Sequence, residues 1–118
     1  MRRLFVATSF WLLSMQALAA AFQAITFENG NKLYSDLTAP NEEQRLFAMG
    51  FIIGVADAGG GGEFVVVGWQ YCVPTQSTMG QIRDVVRQFL EAHPEKRHMA
   101  AAGLVGEALQ GAFPCAPK

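Results

Sequence analysis

The spacing of hydrophobic positions changes several times along this chain, and each change marks an element. After the basic pair Arg2-Arg3, the stretch Leu4 to Leu13 is apolar except for Thr8 and Ser9. From Glu42 to about Ala58, the residues Leu46, Phe47, Met49, Phe51, Ile52, Ile53 and Val55 go nearly all the way round a helix. That pattern predicts a central helix packed on several sides. Further on, Ile82, Val85, Val86, Phe89 and Leu90 recur at i, i+3, i+4, i+7 and i+8, with Arg83, Asp84, Arg87 and Glu91 opposite, which is the cleanest amphipathic helix in the sequence. A last helix is predicted from about Glu95 to Gln110, with Ala101, Leu104, Val105, Ala108 and Leu109 facing inward.

Boundary residues agree with this reading. Asn29-Gly30 reads as a turn ahead of a short helix over Asn31 to Leu37. Asn41-Glu42-Glu43-Gln44 and Thr78-Met79-Gly80-Gln81 both have the capping-box pattern that starts a helix. Pro94 stops one helix, and Gly111 is placed to cap the next. Within the central helix, Gly50, Gly54 and Ala58 form a small-residue ridge. A helical glycine costs about 1 kcal/mol relative to alanine, so the ridge is expected to let a neighbouring backbone approach. Gly59 to Gly62 ends the helix. Phe64 to Tyr71 then carries β-branched and aromatic residues, but the chain offers this segment no partner strand. It is expected as an extended or weakly hairpinned excursion.

The fold class that follows is all-α, a small domain of three or four helices. The tight His93-Pro94 connection sets the last two helices antiparallel, rising roughly 20 Å and returning roughly 24 Å at 1.5 Å per residue. Cys115 thus comes back towards Cys72, and these are the chain's only two cysteines. A disulfide staple on the C-terminal hairpin is expected, and a crosslink closing so long a loop stabilises by roughly 4 kcal/mol on the chain-entropy model.

Compartment and charge narrow the field. The basic pair, the apolar run and the small residues of Ala17-Leu18-Ala19 make a signal peptide over residues 1–19, leaving a mature domain of residues 20–118. The apolar run is short for a membrane span. Export puts the thiols in an oxidising compartment, where an even cysteine count reads as a structural bridge. Of 9 basic residues two lie in the leader, against 10 acidic residues in the chain. The mature domain is therefore acidic, which argues against nucleic acid and against an anionic membrane surface.

No reactive constellation converges. His93, Glu95 and His98 lack the further ligand that zinc requires, so they read as helix-end residues, with His93 capping carbonyls. A Cys–His pair with Cys72 or Cys115 competes with the staple. Asp57 with Glu63, and Glu91 with Glu95, read as solvated helix carboxylates. Gly59 to Gly62 has neither the lysine nor the preceding strand of a phosphate loop. No cofactor, metal or catalytic residue is expected, and the protein is read as a non-enzyme.

The run Gly50 to Ala58 (Gly-Phe-Ile-Ile-Gly-Val-Ala-Asp-Ala), Tyr71-Cys72-Val73-Pro74, Gln81, Val85-Val86, Phe89-Leu90, His93-Pro94, His98, Ala108-Leu109 and Phe113-Pro114-Cys115 resembles the Rap/Tai family of immunity proteins. The resemblance spans roughly residues 25–117. It implies a periplasmic protein that binds and neutralises a peptidoglycan amidase effector of a type VI secretion system. Family members often carry a second cysteine pair; Leu37 and about Ala48 stand there instead. The glycine-rich stretch Gly59 to Gly68 is a second departure.

The segment from Glu63 to Tyr71 keeps two readings open. Phe64, Val65, Val66, Val67, Trp69 and Tyr71 could complete the core, or they could form an apolar patch rich in hot-spot residue types. On the second reading Glu63, Phe64, Trp69 and Tyr71 are the candidate partner-binding residues. A homodimer is left open as an oligomeric state. The rival function is a small periplasmic chaperone of the acid-stress type, whose charge-driven mechanism suits a chain with 16% charged residues less well.

Overall fold

Asn29 begins the first helix rather than a turn. In the computed structural model, which describes residues 26–62, 65–66 and 68–117, its side-chain oxygen accepts from Lys32 N at 2.9 Å. Helix α1 therefore runs Gly30–Leu37 and buries Leu33 and Leu37 one turn apart. Helix α2 runs Glu42–Gly59 under the Asn41 cap, which accepts from Glu43 N at 2.8 Å and Gln44 N at 3.4 Å. The reciprocal arm of the expected capping box is missing here. Gln44 Nε2 instead reaches Asp36 Oδ1 at 3.5 Å, tying α2 back to α1. Helix α3, Met79–Ala92, has both arms of its box: Thr78 Oγ1 accepts from Gln81 N, and Gln81 Oε1 accepts from Thr78 N.

Helix α4 begins later than its hydrophobic pattern predicts, at Ala101, and runs Ala101–Ala112. Pro94–Lys96 makes a 3-10 turn, and the next residues give their backbone groups to the N-terminal segment instead of to a helix. Gly30 N donates to Met99 O at 3.0 Å, Asn31 N to Arg97 O at 2.7 Å, and Ala101 N to Glu28 O at 3.0 Å. Glu28 thereby supplies a backbone cap for α4, whose Ala100 N-cap has no side chain suited to it. At the far end Gly111 lies inside the helix, and Phe113 is the C-cap. Among side chains, it is Arg97 that caps the carbonyls at the end of α3, not the His93 imidazole; the His93 backbone N–H donates to Phe89 O. Arg97 Nε donates to Leu90 O at 2.6 Å, its guanidinium lies 3.9 Å from the Tyr34 ring centroid, and the His93 ring instead lies tilted against Phe89 with its Nδ1 3.0 Å from Glu95 Oε1.

The four helices enclose one core, in which Leu33, Ile52, Val86, Leu90, Leu104, Val105 and Leu109 are almost fully buried. All five inward positions predicted for α4 are buried. Helix α2 touches α1, α3 and α4, as expected of a central element. It does so through the buried Ala48, Ile52, Ala56 and Gly59, with Phe51, Ile53 and Val55 half-buried against the same core. The expected glycine ridge is not a helix contact within the fold. Gly50 and Gly54 are exposed, and a Cβ added to either would meet nothing within 4 Å.

The staple is formed: Cys72 and Cys115 are bonded at 2.06 Å. Cys72 N also donates to Phe113 O at 2.9 Å, so the end of α4 returns beside the chain leading into α3 and the two helices are antiparallel. The expected leader, residues 1–19, lies outside the described residues. Among those described, no helix is long and apolar enough to cross a membrane.

Candidate partner-binding surface

The excursion after α2 folds as a narrow hairpin. Val66 and Trp69 exchange backbone hydrogen bonds at 2.8 and 2.9 Å, with Gly68 at φ 83° supplying the reversal, and Gly61 bridges to Cys72. Of the four residues expected to bind a partner, Glu63 and Phe64 lie outside the described residues. Tyr71 is fully buried, which corrects its placement at an interface. Its ring covers the end of α2, where a Cβ on Gly59 would come within 2.8 Å of it, and its hydroxyl donates to Val55 O at 2.6 Å. Burial pushes that phenol above the usual tyrosine value.

Trp69 is half-buried against α4, where a Cβ on Gly106 would stand 2.8 Å from Trp69 Cδ1. Its outer edge lines a shallow groove with Val85, Phe89, Glu107 and Gln110. Next to it Gln70 N donates to Gln110 Oε1 at 3.1 Å, and Gln70 Nε2 donates to Gly62 O at 2.5 Å. The hairpin is therefore clamped to α4 and to the disulfide region. Only Val65, 65% exposed, projects freely among its described residues.

The larger apolar surface is one that the periodicity hides. A helix apolar nearly all round reads as packed on several sides, and α2 is, yet it leaves Leu46, Phe47, Gly50, Gly54 and Ala58 exposed. Phe47 is 60% and Leu46 57% exposed, high for large apolar side chains. Lys32 Nζ lies over the Phe47 ring, 5.5 Å from its centroid. Along the seam between α2 and α3 run two grooves. One, of about 330 Å³, is lined by Leu46, Met49, Arg83 and Arg87; the other, of about 400 Å³, by Ile53, Asp57, Met79 and Ile82. Met79, 58% exposed, extends the apolar strip onto α3.

The electrostatics of this surface are set by which charges already have partners. Lys32 pairs with Asp36 at 2.5 Å, Arg83 with Asp84, Arg87 with Glu91, and Lys96 with Glu107. Arg45 donates to the carbonyls of Ala39 and Pro40, and Arg97 to those of Leu90 and Glu91. Every described lysine and arginine is thus engaged within the chain. Three described carboxylates are not: Glu42, Glu43 and Asp57 form no ion pair with any described residue, and all three are exposed on α2. No group of three or more metal-ligating side chains occurs among the described residues.

The family model of the Rap1a immunity proteins matches residues 29–115, from the cap of α1 to the second cysteine. No curated protein matches the chain. The match takes in all four helices and the disulfide, and the chain belongs to the Rap1a immunity protein family.

Proposed function

We propose that this immunity protein acts in the periplasm, where it binds a peptidoglycan amidase effector of a type VI secretion system and holds it inactive. The observation that carries the reading is the family match across the whole helical domain. An immunity protein works by occupying its cognate toxin, so the function needs a rigid surface and no chemistry of its own. The stapled bundle supplies rigidity, and the exposed side of α2 supplies apolar contact area. The leader predicted at residues 1–19 would deliver the domain to the compartment in which a cell-wall amidase acts and in which the disulfide forms.

The test is inhibition. Mature protein, residues 20–118, is titrated against purified type VI amidase effectors while peptidoglycan cleavage is followed. One effector should be bound tightly and silenced at stoichiometric ratio, and the immunity protein alone should cleave nothing. Light scattering of the complex shows whether one domain or a homodimer meets each effector. Failure to bind any amidase, or tight binding to a toxin of another enzymatic class, would overturn the amidase assignment.

A further inference from the structure

Asp57 sits in the last turns of α2, where a carboxylate faces the negative end of the helix dipole and is disfavoured. It forms no ion pair with a described residue, although the fold pairs or hydrogen-bonds each described base. Glu42 and Glu43 at the other end suit the dipole but are likewise unpaired. Fourteen positions separate Glu43 from Asp57, roughly 21 Å along a helix at 1.5 Å per residue. Between them lie Phe47, Gly50 and Gly54, apolar and open to solvent. The described carboxylates that form no ion pair are thus gathered at the two ends of one apolar strip.

We propose that this side of α2 seats the cognate effector through a basic surface of that protein. Effector lysines or arginines would meet Glu43 at one end and Asp57 at the other, with an apolar centre closing on Phe47 and the two glycines. The proposal rests on the immunity reading above and adds where the toxin docks and what chemistry it must present. Opposite charges across such a contact speed encounter and fix register, while the desolvated aromatic at the centre supplies the lasting affinity. Glycines at positions 50 and 54 bring the partner's backbone against the helix, which accounts for two residues that do nothing for α2 itself.

Association and dissociation of purified effector with wild-type and variant mature domain are measured at low and high salt. Glu43→Lys combined with Asp57→Lys should slow association by about tenfold or more at low salt, and the gap should close at high salt. Phe47→Ala should weaken affinity by at least about tenfold, mostly through faster dissociation. Gly54→Leu, which meets no neighbour in the fold, should block docking while helical circular dichroism and melting stay at or above wild type. Glu95→Lys, on the turn before α4, is the control and should bind like wild type. Wild-type affinity and salt dependence in all the α2 variants would overturn the docking site and leave the immunity reading intact. An effector that the wild type also fails to bind would remove both.

Discussion

Alanine at Gly50 and Gly54 should stabilise the protein, whereas the same change at Gly30, Gly59 or Gly106 should destabilise it. The difference lies in what the added methyl group meets. At 50 and 54 nothing lies within 4 Å, and both positions are interior to the eighteen-residue α2. The gain is then the helix propensity difference alone, about 1 kcal/mol per site, with no packing penalty. For a domain of this size, each substitution should raise the melting temperature by roughly 4–8 °C, and the pair by about twice that. At Gly30 the methyl would stand 2.5 Å from Leu104 Cδ1 and 2.8 Å from Arg97 O, and at Gly59 it would lie 2.8 Å from the Tyr71 ring. Neither the Arg97 backbone nor a fully buried tyrosine has room to retreat, so about 1–3 kcal/mol should be lost. Urea melts of the five single variants, read at two protein concentrations, decide the matter. A loss of stability at 50 and 54 would refute the reasoning, because it would mean that this side of α2 is covered in solution. A loss confined to high concentration would identify the cover as a second copy of the chain.

Three further outcomes are expected. Cys72→Ser should lower stability by about 4 kcal/mol, the chain-entropy value for a bridge spanning 43 residues, and non-reducing peptide mapping of the wild type should recover Cys72 and Cys115 in one crosslinked pair. Trp69→Ala should cost roughly 2 kcal/mol by uncovering α4 at Gly106, while effector affinity stays within about threefold of wild type; a folded variant that no longer binds would return the contact to the hairpin. Glu28 is buried, its Oε1 has no hydrogen-bond partner among the described residues, and burial raises its pKa above the usual carboxylate value, against the opposing pull of Lys32. A folded-state pKa above the unfolded one contributes stability that is present at acid pH and lost as pH rises through the folded value. Glu28→Gln should therefore stabilise at neutral pH, with the advantage vanishing in acid; denaturant melts across that range check it, and a pH-independent difference would refute it.

The helices and the staple were legible in the sequence because their signals are local. Thr78 and Gln81 sit three residues apart and cap one another. The α3 stripe is spaced for one face, and two cysteines permit only one intramolecular pairing. What was not legible depends on partners distant in sequence. The start of α4 moves from Glu95 to Ala101 because residues 97–101 bond to residues 28–31, and no window around Pro94 contains that information. Tyr71 and Trp69 look alike in composition. One became the plug over Gly59 and the other the cover on Gly106, each beside a glycine far away in the chain whose missing side chain leaves room for the ring.

The apolar strip that α2 leaves exposed, although the helix packs against α1, α3 and α4, has a physical cause that bears on function. A four-helix domain this small has too few elements to surround any of them. A helix apolar all round must then either waste apolar surface on water or cover it with something outside the fold. Three carboxylates without an ion pair frame that surface, and two glycines that only weaken the helix flatten it. Burying Leu46 and Phe47 against a partner would return about 25 cal/mol for each Å² of apolar area removed from water, which the isolated domain forgoes. Where hydrophobic periodicity demands more burial than the fold can provide, the excess marks the surface on which a protein whose task is to bind another would be expected to do so.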